Sequence, residues 1–166
     1  YTKQQYLTYS NNSAFEEFLF EHGLNWVIRE HKKRNLPKNN ITESFSRCAK
    51  AVIMRGMLSG QDEVIGMPFE LVLEDNPYDN GGKTISEISV RLLWKGKPHK
   101  FSQITIFNKA TKLFISRVKT DSEGRASIPN KEGGVFLLNA VHMVPGREDS
   151  KYMWHSYWAS STFKIK

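Results

Sequence analysis

The 166-residue chain predicts a mainly β fold, an antiparallel β-sandwich with a short N-terminal helical appendage. Three observations carry this reading. From Phe45 onward, short runs rich in Val, Ile, Leu and Phe are separated by turn residues at roughly eight- to twelve-residue spacing, the rhythm of a sandwich. Within several runs apolar and polar residues alternate with the period of two that a half-buried strand requires. Ahead of them, apolar residues recur at helical spacing instead. A chain of this length can bury a core without disulfide staples. It reads as one compact unit, with a helical appendage over residues 1–40 packed on a sandwich over residues 41–166.

The elements follow in order. In NNSAFEEFLFEHGLNWVIREHKKRN (11–35), Ser13 followed by Glu16 has the spacing of a capping box, in which hydroxyl and carboxylate satisfy first-turn amides reciprocally. Phe15, Phe18 and Leu19 form one stripe, and Gly23 is placed to stop that helix. Leu24, Val27, Ile28 and His31 continue a second stripe until Asn35 and Pro37 end it. NLPKNNITES (35–44) reads as a polar connection. FSRCAKAVIMRG is the first strand run, loosened between Gly56 and Gly60. In GMPFELVLEDNP, Met67, Phe69, Leu71 and Leu73 alternate with Glu70 and Glu74, predicting a half-buried strand ended by Asn76-Pro77. TISEISVRLLW sets Ile88, Val90, Leu92 and Trp94 on one face before the turn KGKP. SQITIFN and KLFISRVKT predict a hairpin around KAT, while DNGGK, DSEGR and KEGGV are turns. GGVFLLNAVHMVP is nearly continuous in apolar residues, as in a strand covered on both sides. The closing strand starts near Trp154.

The charge is +7, from 24 basic and 17 acidic residues. It is spread along the chain apart from one cluster, REHKKRNLPK (29–38), and no zinc-finger, RRM or KH pattern accompanies it. The expectation is therefore a solvated basic face and no nucleic-acid partner. Cys48 is the single cysteine, so neither an internal disulfide nor a cysteine-based zinc site is expected. No apolar run approaches the ~18 residues of a membrane helix. The chain starts at Tyr1 without an initiator Met, which reads as a mature or trimmed product.

Histidines, nucleophiles and aromatic rings are the groups that could carry chemistry. His142 and His155 fall on adjacent predicted strands joined by the loop PGREDSKY. If those strands pair, His142, Asp149 and His155 converge as an N/O set suited to nickel, cobalt or zinc. The competing reading is two packed histidines with hydrogen-bonded ring nitrogens. Cys48 lies in an apolar run without a neighbour to ionise it. There is no G-x-S-x-G elbow and no glycine-rich phosphate loop, and the acidic pairs fall at turns or helix starts, so no enzyme is expected. In the closing run, period two places His155, Tyr157, Ala159, Ser161, Phe163 and Ile165 on the sandwich face, with Trp154, Ser156, Trp158, Ser160 and Thr162 opposite. Phe15, Phe18, Leu19 and Trp26 supply an apolar cover for the tryptophans. The alternative is a carbohydrate-stacking platform using Trp94, Trp154 or Trp158.

The run GVFLLNAVHMVPGREDSKYMWHSYWASSTFKI resembles the ending of the NikM-like family of exported bacterial proteins, a domain of unknown function labelled a periplasmic component of cobalt or nickel transport. The shared features are Val141-His142-Met143, the acidic loop Glu148-Asp149-Ser150, and Trp154 through Phe163. Upstream, FEEFLFEHGLNWVI resembles a helical segment of that family. Ser46, Arg47 and Lys50 resemble its Ser-Arg-x-x-Lys strand, and Gly66, Pro68, Glu70 and Leu71 its Gly-x-Pro-x-Glu-Leu segment. Thr120, Asp121, Gly124 and Arg125 resemble a turn shared with transthyretin-like and carboxypeptidase-regulatory-like sandwiches. The resemblance implies an immunoglobulin-like or transthyretin-like sandwich, export to the periplasm and a place in a longer protein. It implies a non-enzymatic accessory or binding module, with metal-transport components of the envelope as partners and nickel or cobalt as transported ligand rather than cofactor. A cell-envelope carbohydrate- or protein-binding sandwich is the alternative.

Overall fold

The structure is a computed structural model that describes residues 2–56, 60–78, 86–109, 113–130, 133–147 and 150–165. Its elements are β1 (Gln5–Asn11), α1 (Asn12–Glu21), α2 (Trp26–Lys33), β2 (Asn39–Ala51), β3 (Phe69–Leu73) and β4 (Glu87–Trp94). They continue with β5 (Lys97–Pro98), β6 (Gln103–Asn108), β7 (Leu113–Lys119), β8 (Arg125–Pro129), β9 (Gly134–Pro145) and β10 (Trp154–Ile165). The predicted mainly β architecture with a short helical part is present. The chain divides into two compact units, neither continuous in sequence: Tyr1–Arg47 with Val141–Trp158, and Cys48–Ala140 with Ala159–Lys166. β2, β9 and β10 each contribute residues to both. The division therefore does not follow the boundary at residue 40 drawn from the sequence.

In the first unit the strand order is β1-β2-β10-β9. Residues 5–11, to which periodicity assigns no element, form β1. They pair antiparallel with the start of β2, with Tyr9 opposite Ile41 and Asn11 opposite Asn39. This pairing turns most of the expected polar connection 35–44 into strand: a polar sequence extends when a partner strand takes its amides. The helix start also differs from expectation. Asn11 ends β1 in extended conformation, and its side chain accepts from the Ala14 amide at 3.0 Å, so Asn11 is the cap and Ser13 already lies within the helix. Both helices end as Schellman motifs. Gly23 (φ 69) lets Leu24 N–H reach the Leu19 carbonyl at 2.7 Å, and Asn35 (φ 51) lets Leu36 N–H reach that of His31 at 3.2 Å. The buried faces of α1 and α2 (Phe15, Leu19, Val27) close over Ile41, Val141, Met143 and Trp154 in one hydrophobic cluster. The helical cover expected over the closing tryptophans is thus present.

The second unit is the sandwich. One layer runs β2-β10-β9-β6-β7; the other holds β3, β4 and β5, with β8 paired to β4. Alternation fills the space between them with Phe69, Leu71, Ile88, Val90, Leu92, Ile104, Ile106, Phe136, Leu138, Phe163 and Ile165, all buried. Phe136 and Phe163 stack at 5.7 Å. The hairpin β6-β7 forms as expected; the predicted turn DNGGK and parts of KAT and KEGGV lie outside the described residues. β3 departs from expectation, because all five of its residues are buried, Glu70 included. The outward side of the strand is covered by the preceding loop, which Glu70 itself holds in place.

Candidate functional site

In the first unit, alternation along β2 and β10 sorts the functional groups onto two sheet faces. Trp154 lies on the helix-covered face and is fully buried. Its Nε1–H donates to His31 Nδ1 at 3.0 Å. Because indole can only donate, His31 Nδ1 accepts and its Nε2–H donates to the Pro37 carbonyl at 2.9 Å. The Arg34 guanidinium lies 5.0 Å from the Trp154 ring centre and donates to the Met153 carbonyl. Two positions along β10, Ser156 donates to Glu43 Oε1 in a short contact, Tyr9 OH donates to Glu43 Oε2 at 2.8 Å, and Trp158 Nε1–H donates to Ser156 Oγ at 3.0 Å. Glu43 is 1% exposed. Burial pushes its carboxyl up, and the hydroxyl donors partly offset the shift. Burial and the neighbouring Glu43 also push the Tyr9 phenol up.

The opposite face carries His155, whose ring is buried beside Tyr157, with ring centres 4.3 Å apart. His155 Nδ1 lies 2.5 Å from Ser44 Oγ and 3.5 Å from the Gln4 amide nitrogen. Its Nε2 is buried and has no partner among the described residues. Burial lowers the ring's pKa. His142 lies between Val141 and Met143, which belong to the helix-side cluster, so alternation places His142 on the same face as His155. Asp149, the third predicted ligand, lies outside the described residues. Among those residues, no three His, Cys, Asp or Glu side chains gather closely enough to hold a metal.

The predicted aromatic platform needs correction at Trp154, which is enclosed by α1 and α2 and has no face to offer a sugar. Trp158 is half-buried, with the Arg47 guanidinium 5.3 Å from its ring centre and His22 edge-on at 4.9 Å. Trp94, in the second unit, is half-buried edge-on to Phe69, with the Lys95 ammonium 5.1 Å from its ring centre.

The second unit contains a buried ion cluster that periodicity did not reveal. Lys50 Nζ lies 2.8 Å from Asp62 Oδ1 and 3.3 Å from Glu70 Oε1, and donates to the Glu63 carbonyl. Glu70 accepts from the amides of Ile65, Gly66 and Met67, and Asp62 Oδ2 from that of Leu73. These contacts fasten the loop 60–67 along β3. Beside it, a cleft of about 300 Å³ is lined by Val52–Arg55, Gly60–Asp62 and Asn76–Tyr78. The available sequence signal was the placing of Lys50 and Glu70 in the two motifs that carry the family resemblance. Glu43, Ser44 and Tyr9 had no such signal, since their burial depends on the pairing of β1 with β2.

These features define a mainly β domain of the sandwich class with two short helices. Residues 5–144, from the start of β1 to near the end of β9, match the family model described as Domain of unknown function (DUF4198), and the chain belongs to that family. No curated protein and no solved structure matches it.

Proposed function

We propose that this chain is a non-enzymatic accessory module of the cell envelope, exported to the periplasm, that binds nickel or cobalt as cargo for metal-transport components. The NikM-like resemblance of the closing run motivates the metal. The observation that carries the reading is the buried, unpartnered Nε2 of His155. Ligating imidazoles typically donate their second ring N–H to a neighbouring acceptor. In the tautomer that carries its proton on Nδ1, Ser44 Oγ at 2.5 Å takes that role and Nε2 offers the lone pair. With His142 on the same face, and Asp149 as the oxygen donor that the sequence offers, the set would be of the N/O kind nickel and cobalt accept. The non-enzymatic part is supported by Cys48, which is buried with its thiol pushed up by burial, the reverse of an activated nucleophile.

Isothermal titration calorimetry of Ni²⁺ and Co²⁺ into the chain tests this. One saturable site is expected, lost in His155→Ala, weakened in His142→Ala and Asp149→Ala, and weakened about 10- to 100-fold in Ser44→Ala. A silent titration of the folded wild type, or unchanged binding by His155→Ala, overturns the reading.

A further inference from the structure

The basic cluster 29–38 is not used by the proposed metal site, and the structure gives it a definite geometry. α2 turns Val27 and His31 inward. At 100° per residue, Trp26, Arg29 and Lys33 (i, i+3, i+7) fall together on the opposite, solvent-facing side. Trp26 is 39% exposed although its ring stands edge-on to buried Trp154 at 6.2 Å, so the indole is steadied at the surface. Lys32 leaves the same helix toward a cleft of about 420 Å³ that it lines with Lys38, Asn12, Asn35 and Glu16. The Glu16 carboxylate is engaged by Asn12 Nδ2 at 2.7 Å. The side chains of Arg29, Lys32, Lys33 and Lys38 are all exposed, and none takes part in the ion pairs that Lys50 and Arg125 form. Arg29 and Lys33 thus flank one exposed indole on a helix whose one acidic residue is Glu30, and Lys32 and Lys38 add cations at a neighbouring concave site large enough for a phosphate-bearing group.

We propose that the outer face of α2 docks on an anionic phospholipid surface, with Trp26 seated at the headgroup level, Arg29 and Lys33 against lipid phosphates beside it, and Lys32 and Lys38 adding long-range attraction from the flanking cleft. Charge complementarity selects an anionic partner. The rigid indole within the basic stripe favours a lipid interface over a purely polar polyanion, since aromatic rings flanked by cations are the interfacial pattern. This surface is independent of the proposed metal site.

Co-sedimentation of the full chain with vesicles tests it. Binding is expected to phosphatidylglycerol-containing phosphatidylethanolamine vesicles, not to phosphatidylcholine vesicles, and to fall steeply with added salt. Each of Arg29→Gln and Lys33→Gln should weaken partitioning roughly fivefold. Trp26→Ala should weaken it with the charge intact and abolish the lipid-induced blue shift of tryptophan emission. These positions are solvent-facing, and unchanged circular dichroism confirms each variant's fold. No sedimentation with the anionic vesicles, equal sedimentation with both vesicle types, or a Trp26→Ala variant that binds like wild type overturns the proposal. Displacement from the vesicles by equimolar poly-glutamate would also overturn it, by pointing to an acidic macromolecule instead.

Discussion

Glu43 is a carboxyl group with almost no access to water, and burial sets its proton affinity above the ordinary value of 4.5. The folded chain therefore holds this proton where the unfolded chain releases it. Stability linked to Glu43 is full below about pH 4.5 and declines as pH rises through the higher folded value. Glu43→Gln removes that decline while keeping groups able to bond Tyr9 and Ser156. The melting temperature of Glu43→Gln relative to wild type should rise as pH increases above about 4.5 and level off once the folded carboxyl has ionised; a flat difference would mean that the carboxyl titrates alike in both states. Trp154 tests packing instead. Trp154→Ala empties the centre of the helix-side cluster and strands His31 Nδ1, and should cost about 3–5 kcal/mol in urea denaturation. Trp154→Phe keeps most of the volume and should cost clearly less, the remainder reporting the lost indole N–H bond.

At the scale of elements, legibility followed the range of the cause. β10 was readable because a strand's period of two is local, and Trp154 faced the helices as alternation required. The Schellman endings were readable because Gly23 and Asn35 tolerate left-handed backbone. β1 was not readable: QYLTYSN has no distinctive period, and it becomes strand only by pairing with residues 39–45. Glu43 was invisible for the same reason, since a carboxylate in ITESFS looks solvated until Tyr9 arrives from β1. Glu70 reads as the wet side of an alternating strand, yet the loop whose amides it binds covers it. Of the predicted metal ligands, alternation could place His142 and His155 on one face, but the orphan Nε2 is a property of packing. The Lys50 cluster yields a test at this scale. Lys50→Met leaves two buried carboxylates without their cation and should destabilise the chain by about 3–5 kcal/mol. Hydrogen exchange should speed up first at the amides of Ile65, Gly66 and Met67. Uniform protection across that loop would show that Glu70 holds it unaided.

At the scale of the whole molecule, each unit is assembled from distant parts of the sequence, and the first needs Tyr1–Arg47 to cover Val141–Trp158. A fragment beginning at Ile41 would bare Trp154, Val141 and Met143 together, an apolar patch of the kind that drives association. Such a fragment should bind a hydrophobic dye and self-associate in analytical ultracentrifugation. A monomeric, sharply melting 41–166 chain would show instead that the sandwich stands without the segment before it. The solitary Cys48 has a consequence of its own. It is wholly enclosed in β2, at the first residue of the second unit, and burial keeps its thiol protonated. With no other sulfhydryl in the chain to compete, the rate at which a thiol reagent labels the native protein becomes a stopwatch for spontaneous opening at that point, with no engineered probe required.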